Sequence, residues 1–363
     1  MNQLSQAELG SGLPPRQARS QPASQSSAAF RVLASQKPRV APTADGNNDI
    51  RSQSLLRNLA GRFAFRFRRL CFDEQWCVAV RPRVSGPAAL ELKGFSVLKP
   101  QRDRFYADPF LIERGGRSYL FFEELIFSKP KGVISCIEFD EHGFIGSPSV
   151  VLEAAHHLSY PFLFEWDDQL YMLPESHDSG RIELYRAIDF PGRWEFAGEL
   201  LDNVWAVDTT IFHHEGKFWM FAGGVTKNGK INSELFLYYA DSPLGPWHPH
   251  ARNPVVADAS RARPAGQVFT HEGLLLRPGQ DCSTSYGAVI VLNRIDVLSP
   301  TEYEETPIMT LGPEWLPRGK GTHTINHSEH YQTADARILI FQPKLIVRKL
   351  WWSFCSHLLK PKA

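Results

Sequence analysis

A chain of 363 residues is long enough for one large or two ordinary domains and for a sizeable core. With 40 Lys plus Arg against 39 Asp plus Glu, its net charge of +1 rules out a global field that would draw nucleic acid or a membrane surface. Apolar residues at 43% and charged residues at 22% are an ordinary globular balance, while 24 Phe, 10 Tyr and 9 Trp suit an all-β core or a sugar site.

Residues 1–58 are rich in Ser, Gln, Pro, Ala and Asn. Such a stretch cannot bury enough apolar surface to offset its ordering entropy, so it is expected to be disordered. It holds no apolar run of signal-peptide length, and no segment of the chain approaches a membrane span. The cysteines (Cys71, Cys77, Cys136, Cys282 and Cys355) are odd in number, scattered, and form no CxxC pair. Together these features predict a reducing, cytoplasmic setting. Residues 59–74 read as a basic linker or short helix.

From 75 to 343 the pattern becomes short apolar runs separated by turn residues, which predicts strands. Four hairpins repeat within it: ADPFLIERGGRSYLFFEE from Ala107, SYPFLFEWDDQLYMLPES from Ser159, VDTTIFHHEGKFWMFAGG from Val207 and RPAGQVFTHEGLLLRPGQD from Arg263. A period of roughly fifty residues falls in the range of propeller blades. Outer strands follow each hairpin (GVISCIEFD, RIELYRAI, ELFLYYADS, GAVIVLNRI), and a weaker fifth unit begins at THTINHSEHYQTADARILIF. The strand QWCVAVRP (75–82) has no blade of its own and is expected to complete the last one, locking the ring. The fold class predicted is all-β, a five-bladed β-propeller. The basic, aromatic segment 344–363 is expected to form a short amphipathic helix that packs on the propeller or makes peripheral membrane contact.

In an antiparallel hairpin the start of one strand lies beside the end of the next. The inner ends of all four hairpins should therefore line one axial pocket. Counting from the turns places Asp108 level with Phe122 and Glu123, Tyr160 with Glu175, Asp208 with Ala222 and Gly223, and Arg263 with Asp281. The pocket would hold Asp108, Glu123 or Glu124, Tyr160, Glu175, Asp208, Arg263, Gln280 and Asp281. Unpaired buried charges cost several kcal/mol each, so carboxylates gathered around one Arg point to a site. His156–His157 and His213–His214 fall at turns and read as solvated. AGGVTKNGK is a lone glycine-rich loop, and there is no Walker loop, GxGxxG or GxSxG elbow.

ADPFLIE, HLSYPFLFE, YMLPES, VDTTIF, NPVVAD, RPAG, RPGQDC and THTIN, spread over about 76–340, resemble the N-terminal domain of plant glucosamine inositolphosphorylceramide transferases and their bacterial relatives, some of them found beside formyltransferase-like domains. More distantly, the pattern is similar to the five-bladed propellers of arabinanases, β-xylosidases, levansucrases and invertases. That resemblance implies Asp108 as catalytic base and Asp208 as the acid that tunes and orients. The blade-four Glu acid of arabinanase-like enzymes is replaced by Arg263-Pro264-Ala265-Gly266. Glu175 or Asp281 is then the remaining candidate proton donor. Substrate-binding candidates are Arg263, Asp281, Gln280, Tyr160, Glu124 and His323. No metal or cofactor is expected, apart from an axial Ca2+ near His323 of the kind the resemblance admits.

Two functions are consistent with this reading. One is glycosyl hydrolysis or transfer on an anionic or phosphorylated glycan in polysaccharide or glycolipid metabolism, with Arg263 pairing the anion. The other is a non-catalytic glycan-binding scaffold for a glycosyltransferase or formyltransferase-like partner.

Overall fold

The computed structural model describes residues 71–224 and 232–342. The predicted tail (1–58), residues 59–70 of the 59–74 segment, most of the glycine-rich loop and the C-terminal segment (344–363) lie outside the described residues.

Strands follow one another in five groups. The first two are β1 (Phe72–Pro82) and β2 (Ser96–Leu98). Blade I is β3 (Arg104–Arg114), β4 (Arg117–Ile126), β5 (Val133–Asp140) and β6 (Gly143–Leu152). Blade II is β7 (Ser159–Trp166), β8 (Gln169–Glu175), β9 (Arg181–Asp189) and β10 (Arg193–Asp202). Blade III is β11 (Ala206–His214), β12 (Lys217–Gly224), β13 (Glu234–Ala240) and β14 (His248–Pro249). Blade IV is β15 (Arg263–Pro264), β16 (Phe269–His271), β17 (Leu274–Asp281), β18 (Val289–Leu298) and β19 (Tyr303–Leu311). Last come β20 (Ile325–His327) and β21 (Tyr331–Phe341). Blades I to III are consecutive antiparallel meanders; in blade IV the short β15 and β16 both pair with β17, followed by β18 and β19, and the fifth sheet runs β2-β1-β21-β20.

The protein is therefore a five-bladed propeller closed by its own early strand. β1 pairs with β21 along an unbroken ladder from Phe72↔Phe341 to Pro82↔Tyr331. Strand structure starts slightly upstream of the expected residue 75. Closing the ring this way pairs both central strands of the last blade and leaves only a short outer edge.

Local chemistry explains why the inner hairpins look alike. Gly115-Gly116, Asp167-Asp168, Glu215-Gly216 and Glu272-Gly273 all have positive φ, between 48° and 79°. Two adjacent left-handed residues make the type I′ turn, whose twist matches the strands it joins, and Gly and Asp tolerate that region best. The core lies between neighbouring blades. Phe110, Phe121, Met172, Leu173, Met220 and Trp247 belong to one continuous apolar cluster spanning blades I to III. Trp194 packs edge-on against Phe121 at 5.8 Å.

Candidate functional site

The first strand of blades I, II and III breaks register at the same point. Ala107↔Glu123 is followed by Phe110↔Phe121, Ser159↔Glu175 by Phe162↔Leu173, and Val207↔Gly223 by Thr210↔Phe221. Within each break, Asp108, Tyr160 and Asp208 take left-handed backbone, with φ of 53°, 44° and 52°. Such a bulge re-aims a side chain that would otherwise alternate between faces. Non-glycine residues in this region cost of order 1–3 kcal/mol and persist where surrounding contacts over-determine them. The contacts that do so here join blades across the axis.

Asp208 is the centre of one group. It is 1% exposed, and Arg263 grips it with two donors, Nε at 2.6 Å and Nη2 at 3.1 Å. Gln280 Nε2 donates to the same carboxylate at 2.8 Å and to the Pro264 carbonyl at 2.8 Å. Arg263 Nη1 donates to Asn232 at 3.0 Å, and the guanidinium lies over the Tyr286 ring at 5.0 Å. A bidentate, nearly dry pair of this kind fixes both side chains.

Asp108 is the centre of a second group, built from blades I and V. Its backbone N–H donates to Asp335 Oδ2 at 3.1 Å, and its Oδ1 accepts from Thr324 Oγ1 at 2.8 Å. Asp335, fully buried, also accepts from the His323 and Thr324 backbone N–H groups at 2.9 and 3.0 Å. His323 Nδ1 lies 2.5 Å from Asp335 Oδ2, which leaves Nε2 facing Asp108 Oδ1 at 3.7 Å. The His323 ring stacks on Trp76 at 3.9 Å and meets Tyr286 edge-on at 5.3 Å. Burial opposes a charge on this imidazole, but Asp335 and Asp108 prevail and hold its pKa above the ordinary histidine value.

Glu123, 6% exposed, joins the two groups. Burial drives its pKa well above the usual carboxylate range; Asp108, Glu175 and Asp208 push the same way and Arg263 opposes them. Its Oε1 is 3.3 Å from His157 Nε2, while His157 Nδ1 accepts the Gly132 N–H at 2.9 Å. The proton of neutral His157 is therefore on Nε2, pointing at Glu123. Gly132 is required here, since a Cβ would stand 2.8 Å from that carboxylate. Asp108 is pushed up to about 7, first by burial and then by Asp208 and Asp335, against the pull of His323 and Thr324. Glu175 sits at the half-buried rim, accepting from Ser159 Oγ at 2.8 Å and His177 N–H at 3.2 Å.

Three expected site residues are placed elsewhere. Glu124 points to the other side of β4, where Arg104 Nη1 and Ser135 Oγ hold it, each at 2.6 Å. Asp281 fails to face Arg263 because the true register is Arg263↔Gln280. A one-residue slip turns a strand residue to the opposite face, and Asp281 instead caps Ser283 through its N–H and Oγ at 2.8 and 2.6 Å. Tyr160 is entirely buried and serves as a strut: its hydroxyl meets Thr210 Oγ1 and accepts the Gly266 N–H, both at 2.8 Å. Conversely, His157, read as solvated, is bound into the site. Asp335, Thr324, Trp76 and Tyr286 were not anticipated, although a lone acid inside the apolar strand YQTADARILIF was a visible signal for Asp335.

Asp108, His323 and Asp335 place potential ligand atoms within 4.8 Å of one another. The donor set does not suit a resident Ca2+, which takes six to eight oxygens. Both Asp335 oxygens already accept two nitrogen donors each, and one Asp108 oxygen accepts Thr324. His323 and Asp335, with Thr324, form a hydrogen-bonded support for Asp108.

A family model described as glucosamine inositolphosphorylceramide transferase 1, N-terminal, matches residues 95–337. Over 223 residues the chain is 40% identical to the glucosamine inositolphosphorylceramide transferase 1 of Oryza sativa subsp. japonica, covering 60% of this chain and 29% of that protein. Over 208 residues it is 40% identical to the protein of that name from Arabidopsis thaliana, covering 56% and 27%. The chain thus spans less than a third of the length of the relatives it matches. Among solved structures, a family 117 glycoside hydrolase from Zobellia galactanivorans is 14% identical with a TM-score of 0.47, covering 73% of this chain and 90% of that one. Because the family match extends over well more than half of its residues, the chain belongs to the glucosamine inositolphosphorylceramide transferase 1 N-terminal family.

Proposed function

We propose that this propeller is carbohydrate-active and cleaves or transfers a glycosyl unit at the Asp108–Glu123 cluster. The observation that carries this reading is the burial of two carboxyl groups on adjacent strands, Asp108 at 3% and Glu123 at 6% exposure beside the Ala107↔Glu123 pair, with burial raising the pKa of both. Buried pairs of this kind divide acid and base roles between them. Glu123, whose pKa burial raises, donates its proton to the leaving glycosidic oxygen as the anomeric C–O bond breaks. Asp108, titrating near neutrality, takes the proton of the incoming water or acceptor hydroxyl as its oxygen bonds to the anomeric carbon. Glu123 thereby replaces Glu175 and Asp281 as the proposed acid. Asp208, clamped by Arg263 and Gln280, is a fixed acceptor for sugar hydroxyls, and Glu175 lines the rim.

The expected preference for an anionic or phosphorylated glycan loses support from the same geometry. Arg263 is already neutralised by Asp208 and shared with Asn232, so the ligand class proposed is a hydroxylated glycan. The setting proposed is the cytoplasm, in polysaccharide or glycolipid metabolism. A second reading, a glycan-binding scaffold for a glycosyltransferase or formyltransferase-like partner, is favoured by Arg263 standing where arabinanase-like enzymes carry their acid.

A screen of nucleotide sugars and glycans against wild type, Asp108→Asn and Glu123→Gln separates the two readings. Catalysis predicts turnover by wild type and a loss of at least ~100-fold in each variant, the scale of general acid–base catalysis. Glycan binding by all three proteins with no turnover by wild type would leave the scaffold.

A further inference from the structure

Trp205 lies in the short link between β10 and β11, three residues before Asp208, and exposes 54% of its surface. One side of the indole is backed by Gly180, where a Cβ would stand 3.5 Å from ring atoms Cε2, Cζ2 and Nε1. The link is tied down by the Val204 N–H, which donates to the Gly180 carbonyl at 2.9 Å. Phe236 rests on another bare glycine, since a Cβ on Gly224 would come within 2.1 Å of its Cε2. Trp205, Phe236 and Tyr238 line a groove of about 200 Å³, floored by Ala206, Ala222 and Gly223.

Two properties of this groove select its occupant. Among the described residues none that lines it is charged, so an ionised group entering it would lose hydration without gaining a partner among them. Its volume is below the roughly 300 Å³ at which clefts for drug-sized ligands begin, and a protein partner would need about 1,000 Å² of surface. A single sugar ring meets both limits. Its axial C–H bonds make an apolar face for the open side of the indole, and its hydroxyls remain at the wet edge, where Asn203 stands. The floor residue Ala206 is two positions before Asp208, so the groove adjoins the acidic cluster.

We propose that this groove is an uncharged sugar subsite, in which one pyranose ring stacks on Trp205 beside the unit held at Asp108 and Asp208. That neighbouring unit rests on the function proposed above; the binding itself does not require turnover.

The test is saturation-transfer NMR with the methyl pyranosides of glucose, galactose, mannose and xylose, applied to wild type, Trp205→Ala, Trp205→Phe and Asp108→Asn. At least one pyranoside should receive saturation at its ring C–H protons from wild type, from Asp108→Asn and from Trp205→Phe, which keeps an aromatic face. In Trp205→Ala its affinity should fall at least ~tenfold. Transfer from none of the four sugars to folded wild type would overturn the subsite, as would equal affinity in Trp205→Ala. Transfer abolished by Asp108→Asn but kept by Trp205→Ala would place the sugar in the acidic cluster and also overturn it. Failure of Asp108→Asn to alter turnover sinks the catalytic reading and leaves this one standing.

Discussion

Replacing Asp108 by Asn should stabilise the protein relative to wild type, and by more as pH rises. The wild-type carboxyl is 3% exposed, and burial lifts it from 3.8 to about 7. A carboxyl with a higher pKa folded than unfolded holds its proton more tightly in the native state. Its cost to folding is therefore absent at acid pH, grows as pH rises from about 4 to 7, and is constant above. At about 1.36 kcal/mol per pH decade the full cost is bounded near 4 kcal/mol, of which roughly 3 kcal/mol is added between pH 5 and pH 8. Asn retains an oxygen for the Thr324 hydroxyl, and the backbone N–H still reaches Asp335. His323 moves wild type in the same direction. Its pKa is held above the ordinary value, so its contribution is complete below the unfolded value and lost as pH rises through the folded one. The Asn variant keeps the Asp335 share of that effect. Urea unfolding of both proteins at pH 5, 6.5 and 8, with matched slopes, gives the difference directly. A difference that does not change with pH, or an Asn variant that loses ground at pH 8, would refute the argument and show that Asp108 is ionised and satisfied throughout.

Arg263→Ala leaves Asp208, 1% exposed, with Gln280 as its remaining side-chain donor, and should destabilise by about 3–5 kcal/mol. The double variant Arg263→Met with Asp208→Asn, which removes both charges while Asn still suits the left-handed backbone at position 208, should recover most of that loss in thermal unfolding; an equal loss in both would show that packing, not charge, is at stake. Gly266→Ala places a Cβ 1.9 Å from the Ile325 carbonyl oxygen on backbone at φ +131°, where the Ile325 N–H bonds Ala265 at 2.9 Å across blades IV and V. A loss of at least ~2 kcal/mol is expected from strain and overpacking, and an unchanged melting temperature would contradict it.

Much of the architecture can be read from the order of residues alone. Four hairpins share a period because each must make a tight two-residue turn between buried strands, and Gly, Asp and Glu-Gly pairs at 115–116, 167–168, 215–216 and 272–273 record that need. The closing strand was visible as QWCVAVRP, an apolar run with no blade of its own before the first repeat, and β1 does pair with β21. Convergence of Asp108, Asp208 and Arg263 also followed, because strand starts in a propeller face one axis.

Parity and partnership did not follow. Which side of β3 Asp108 takes depends on the bulge after Ala107, and whether Gln280 or Asp281 meets Arg263 depends on a register of one residue. Side-chain direction alternates at every position along a strand, so an unforeseen bulge or slip inverts the assignment while leaving the strand itself correctly placed. Asp335 supports Asp108 from 227 positions away. Such a contact has no local signature in the chain; it exists because the ring closes and brings blade V against blade I.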